Sequence, residues 1–81
     1  MTKEAITDAI IVQIQTIAPE VEQDDIQPDA HIQRSLEIDS FDFLKILTAL
    51  KQTLGVEVPE ADYAKVDTLN KMRDYFAERL G

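Results

Sequence analysis

Leu36-Glu37-Ile38-Asp39-Ser40-Phe41-Asp42-Phe43-Leu44 joins an acidic, aperiodic stretch to the most apolar helical run in the chain. Asp39 and Ser40 carry short oxygen-bearing side chains, which accept hydrogen bonds from the free backbone N–H groups that open a helix. A helix is therefore expected over 40–54. Leu44, Leu47, Leu50 and Leu54, with Ile46 beside them, recur at helical spacing and give it an apolar face to meet another helix. Phe41 and Phe43 fall in its first turn, where periodicity does not place them. Gly55 follows as a C-cap, because glycine enters the left-handed conformation without a Cβ penalty. Lys51 complements the negative pole at that end.

Upstream, residues 3–18 predict an amphipathic helix with Ile6, Ile10, Ile14 and Ile17 on one stripe. Ile11 and Val12 are expected to widen that face. Thr2 suits the N-cap, Glu4 suits the positive pole, and Pro19 ends the run by biasing its predecessor out of the α region. Residues 19–39 form a long connection without a sustained period. Connections of that length usually carry function or hold themselves down by contacts. Val21, Ile26, Ile32, Leu36 and Ile38 are spaced to pin it to the helices, and Pro28-Asp29 marks a turn. A short helical turn fits either Glu20–Asp25 or His31–Ser35.

Downstream, Val56-Glu57-Val58 is briefly extended and Pro59 opens a short helix within Glu60–Lys65. Asp67 or Thr68 then caps a last helix over 69–80, with Leu69, Met72, Phe76 and Leu80 on one side and Tyr75 beside them. The expected fold is all-α. It is a small four-helix bundle of three main helices and one short one, with a long loop between helices 1 and 2 and a single domain over 1–81. The long first loop leaves the relative direction of helices 1 and 2 open.

Composition narrows the function. The 81 residues contain no cysteine and one histidine, His31, so disulfides, thiolate metal sites and multi-histidine sites are excluded. The net charge is −8. Between Pro19 and Asp42, eight acids face Arg34 alone, which leaves only −1 for the rest of the chain. Nucleic acid is a poor partner for such a surface, because phosphate backbones are held by clustered Lys and Arg. A protein with a basic surface is a good one, although acidic residues also simply keep small proteins soluble. No run approaches the roughly 18–20 apolar residues of a membrane span, and Met1-Thr2-Lys3-Glu4 lacks a leader pattern, so the cytoplasm and a monomeric state are expected. With His31 as the only imidazole, a Ser-His-Asp hydrolase is not supported. The acids at Asp24–Asp29 lack the glycine and closing glutamate of an EF-hand loop.

Leu36-Glu37-Ile38-Asp39-Ser40-Phe41-Asp42 resembles the Leu-Gly-x-Asp-Ser-Leu signature of acyl carrier proteins. The likeness extends to the Asp25-Ile26…Ala30…Ile32…Leu36 spacing of the first loop. It continues through Leu44–Leu54 with Gly55-Val56-Glu57-Val58-Pro59, and through Asp67-Thr68-Leu69…Tyr75-Phe76 at the end. The resemblance covers effectively the whole chain in order. It implies a four-helix bundle in which Ser40 carries 4′-phosphopantetheine, attached from coenzyme A by a phosphopantetheinyl transferase. The arm's thiol then holds an acyl or aminoacyl group as a thioester, which suits a chain with no sulfhydryl of its own. On the same resemblance the protein is a carrier rather than an enzyme, and Asp39 is a helix cap and part of the recognition surface. Without the resemblance Ser40 reads as a plain cap residue. Ser35, the only other serine, lacks the Asp-Ser context.

Three departures bear on partners. The signature's glycine is Glu37 here, so a side chain is accommodated at that backbone position. The leucine after the serine is Phe41, either a docking anchor or a packing residue. Fatty-acid carriers have a strongly acidic second helix, whereas residues 41–54 hold Asp42 against Lys45 and Lys51. Glu37, Phe41, Asp42, Lys45 and Thr48 are the candidate partner-binding residues. The expected partners are acyl-loading and acyl-using enzymes with basic docking surfaces, in fatty-acid, polyketide or another specialised acyl metabolism. The expected protein is a specialised carrier rather than the housekeeping one. Ile6, Ile10, Ile14, Leu44, Leu47, Leu50, Leu69, Met72 and Phe76 are expected to line the interior, which is either an ordinary dry core or a site that accepts a carried chain. The rival function is an unmodified acidic interaction module on the same bundle.

Overall fold

The computed structural model describes residues 1–81. Three long helices carry the fold: α1 (Lys3–Ile17), α3 (Ser40–Leu54) and α4 (Leu69–Leu80), with the short α2 (Ile32–Leu36) in the first connection. Each long helix begins where a side-chain oxygen takes up a free N–H. Thr2 accepts from Ala5 N at 3.1 Å, Asp39 from Asp42 N at 2.8 Å, and Thr68 from Lys71 N at 3.1 Å. Thr68, rather than Asp67, is therefore the cap of α4. Gly55 closes α3 with φ at 73°, its N–H donating to Lys51 O. The result is the expected small all-α bundle.

α1 is the shared partner, packing against both α3 and α4. Its stripe of Ile6, Ile10 and Ile14 is fully buried, while Ile17 is half-buried at its end. Val12 does not widen the face, being 54% exposed; one residue past the stripe's edge, it turns to solvent. From α4 come Leu69, Met72, Tyr75 and Phe76, all buried.

α3 departs from its expected register. Its buried residues are Phe43, Ile46, Leu47 and Leu50, whereas Leu44 is 40% exposed. Leu44 and Phe43 lie about 100° apart around the helix, so only one can point into the core. The larger ring removes more apolar surface from water and takes the inward place. Leu44 is thus displaced from the interior to the rim.

The first connection is ordered by its own contacts. Both candidate turns form: Gln23–Asp25 as one turn of 3-10 helix and α2 over Ile32–Leu36. Val21, Ile26, Ile32 and Ile38 are buried and Leu36 is packed against them. Backbone bonds tie the connection to the start of α4: Ile32 N donates to Asp67 O at 2.8 Å, and Asn70 N to Pro28 O at 3.1 Å. His31 caps α2 and forms an antiparallel bridge with Thr68.

The fourth, short element is a 3-10 helix over Glu60–Val66 that packs on α4. The buried Tyr75 fastens it by donating its hydroxyl to Asp62 Oδ2 at 2.8 Å, with Arg79 stacked 3.5 Å over the ring. This hydrogen bond, helped by Lys65 and Arg79, holds the Asp62 carboxyl below its ordinary value of 3.8.

Glu37 is the one non-glycine residue with positive φ, at 55°. It closes α2 in the left-handed conformation where the family signature has glycine, so the side chain is accommodated at a cost in backbone strain.

Three outcomes follow from this packing. Phe43→Ala should cost about 3–5 kcal/mol in chemical denaturation, while Leu44→Ala should cost below about 1 kcal/mol; equal losses would restore the leucine register. Glu37→Gly should raise stability by about 0.5–1 kcal/mol, since relief of strain exceeds the added freedom of the unfolded chain. A depressed Asp62 stabilises the fold above its unfolded value and loses that contribution as pH falls through the folded one. Tyr75→Phe should therefore be less stable than the parent at neutral pH, with the gap narrowing below about pH 4 in urea titrations at stepped pH.

Candidate functional site

Ser40 is the first residue of α3, exposed, and set between two groups of contacts. Behind it, Asp39 holds the helix start. Its side chain takes the Asp42 N–H and its carbonyl takes the Phe43 N–H at 3.0 Å. The N–H groups of Ser40 and Phe41 remain free at the positive end of the helix. Beside it, Gln33 of α2 donates from Nε2 to Ser40 Oγ at 3.4 Å, a long bond. The hydroxyl therefore faces outward with one weak partner.

A groove of about 450 Å³ runs from Ser40 between α2, α3 and the 3-10 helix, lined by His31, Gln33, Phe43, Leu44, Tyr63 and Asp67 among others. Ser40, His31 and Asp67 share this groove without forming a hydrolytic relay. Ser40 is bonded to Gln33, and His31 Nδ1 accepts from Arg34 N at 3.4 Å. Asp67 is paired with Lys71 Nζ at 2.8 Å, and that bond holds its carboxyl below the ordinary range.

On the other side of the Leu44 ridge lies a second, more apolar depression of about 420 Å³. Ile17, Phe41, Leu44, Lys45, Thr48 and Ala49 line it. Phe41 is 70% exposed, which makes it a surface ring and not a packing residue. Lys45 Nζ sits 5.2 Å from its centroid and 3.8 Å from Asp42 Oδ1. Thr48 spends its hydroxyl on Leu44 O at 2.9 Å. Of the five residues singled out for partners, Phe41, Lys45 and Thr48 meet in one depression and Asp42 borders it. Glu37 does not join them. It lines a separate shallow hollow with Glu20, Val21, Asp25, Ser35 and Leu36.

Sequence reasoning missed Leu44, His31, Gln33 and Tyr63 as surface groups of the site. For Leu44 the signal was present, since Phe43 competes for the same inward direction. The other three are brought to Ser40 by tertiary contacts that no local pattern announces.

Residues 8–76 match the family model described as the phosphopantetheine attachment site. The chain is 29% identical over 72 residues to an acyl carrier protein of Rubrobacter xylanophilus, a match covering 85% of this chain and 89% of that one. It is 33% identical over 55 residues to an acyl carrier protein of Lactobacillus johnsonii, covering 68% and 69% respectively. A model match of that span, on a bundle with an exposed serine opening its second long helix, is decisive. The chain belongs to the acyl carrier protein family, a family of phosphopantetheine-bearing carriers and not of enzymes.

Proposed function

We propose that Ser40 is the attachment point of 4′-phosphopantetheine and that the protein carries an acyl or related group between partner enzymes. The observation that supports this most is the outward-facing Ser40 hydroxyl at the start of a capped fifteen-residue helix, inside the matched region. The residues fit the group. A phosphodiester at Ser40 Oγ meets the free N–H groups of the first turn, where partial positive charge favours an anion. Asp39 keeps those groups aligned through its cap, and its own charge is spent on the Asp42 N–H. The arm, when bound, supplies the thiol on which cargo is held as a thioester.

In this reading the chain contributes a nucleophilic oxygen, a rigid platform and a recognition surface, while the transferring chemistry belongs to its partners. Ser40 forms a bond to the phosphorus of coenzyme A, the pyrophosphate linkage breaks and the nucleotide portion leaves, with the serine proton taken up by the transferase or solvent. Partner enzymes would dock on the face that contains Phe41, Leu44, Lys45 and Thr48. The acidic loop residues Glu20, Glu22, Asp24 and Asp25 would draw enzymes with basic surfaces toward it. The mixed charge of α3 supports service in a specialised acyl pathway, polyketide or other, over general fatty-acid synthesis. We place this activity in the cytoplasm and assign it to the monomer. No helix is long and apolar enough to cross a membrane.

Intact mass after incubation with coenzyme A and a broad-specificity phosphopantetheinyl transferase tests the assignment. The parent chain should gain one phosphopantetheine group and Ser40→Ala none. Gain on the Ser40→Ala chain would move the site. No gain on the folded parent would favour an unmodified acidic interaction module.

A further inference from the structure

The α2 turn brings two polar side chains to the hydroxyl from outside the helix that bears it. Ile32 is buried and its N–H is bonded to Asp67 O at 2.8 Å, so the residues on either side of it are held in place. Gln33 Nε2 already touches Ser40 Oγ at 3.4 Å. When that oxygen becomes an ester, the non-bridging phosphate oxygens lie two bonds further out, where the same amide can reach them with stronger, charge-assisted geometry. His31 lines the same groove. Its Nδ1 accepts from the Arg34 N–H, which assigns the neutral ring's hydrogen to Nε2, the nitrogen directed away from its own backbone.

Charge singles out His31 further. The titratable groups lining the groove are His31, Glu60 and Tyr63 from the 3-10 helix, and Asp67 from the turn before α4. Asp67 is answered by Lys71. α3 adds no charge to the lining, although Asp39 adjoins Ser40 in sequence, and α2 adds Arg34 beside His31 without lining the groove. His31 is thus the one lining residue able to become a cation next to an incoming phosphodiester.

We infer that His31 and Gln33 bind the phosphodiester at the root of the prosthetic arm and direct the arm along the groove between α2 and the 3-10 helix. The inference rests on attachment at Ser40. An anion beside the ring stabilises the imidazolium, so attachment should raise the His31 titration midpoint. Glu60, Asp67, Arg34 and Asp39 act on His31 before and after attachment alike, so they drop out of the difference.

The test compares the apo protein with the holo protein, the latter verified by mass. His31 is the only histidine, so its ring proton resonance is identified without variants. The holo midpoint should lie above the apo midpoint. The phosphorus resonance of the holo protein should titrate with that same midpoint, and this titration should vanish in His31→Gln. In Gln33→Ala the phosphorus resonance should shift at every pH. Coincident apo and holo midpoints, with a phosphorus resonance indifferent to His31→Gln and Gln33→Ala, would overturn the inference alone. Absence of any mass gain would overturn attachment at Ser40 and the inference with it.

Discussion

The turn from Glu37 to Asp39 decides where α3 begins, and the site depends on that start. Glu37 reverses the chain in a left-handed conformation, Ile38 buries itself, and Asp39 accepts the Asp42 and Phe43 N–H groups, leaving those of Ser40 and Phe41 free. Three adjacent residues thus do separate physical work: backbone strain, apolar anchoring and capping. Moving the start by one residue would rotate Ser40 by about 100° and carry its hydroxyl away from the groove. The strain at Glu37 is tolerated because Ile38 and the α2 contacts on one side, and the Asp39 cap on the other, fix the chain on both flanks.

The walls of the groove come from parts of the chain that are remote in sequence. The first connection reaches α4 through the Ile32–Asp67 and Asn70–Pro28 backbone bonds, reinforced by Asn70 Nδ2 donating to Asp29 Oδ1 at 2.6 Å. The 3-10 helix reaches α4 through Tyr75 and Asp62. The start and the end of α4 therefore each hold one wall, so the last helix shapes a site to which it contributes no lining residue. Hydrogen bonds to charged groups in partly buried positions contribute more than exposed ion pairs, so the tyrosine–carboxylate clamp outweighs the ion pairs that Asp62 also makes with Lys65 and Arg79.

What was legible in the sequence follows this division. α1 and α4 were readable because isoleucines or mixed apolar residues recur at helical steps between clear caps and stops, whereas Ser40 read as a helix cap from its residues alone and stood out only through the resemblance of Leu36–Asp42 to the carrier signature. The register of α3 was misassigned although the pattern was present: Phe43, Ile46, Leu47 and Leu50 stand at i, i+3, i+4 and i+7, whereas a stripe from Leu44 runs into the polar Thr48 and Lys51. Side-chain size reinforces that choice. The order within 19–39 was legible only as a set of spaced apolar anchors, since the bonds that fix them join residues about forty positions apart. His31, bridged to Thr68, was invisible as a member of the site for the same reason, and Gln33, only seven positions from Ser40, is brought to it by the turn at Glu37.

The misread leucine changes the character of the face beside Ser40. With Leu44 on the rim, Phe41 and Leu44 form an exposed apolar ridge. The neighbouring Lys45 is engaged by both the Phe41 ring and Asp42. A lysine so engaged presents less free charge, and the face offers apolar area at close range. The concentrated negative charge lies instead in the first connection. Within about a Debye length, roughly 8–10 Å at ordinary ionic strength, such charge acts on approach and orientation more than on the final contact. On the proposed docking face, attraction and fit would fall to different elements. Changing the salt would alter how fast a partner arrives more than how tightly the apolar ridge is held, because burial of apolar surface is not screened.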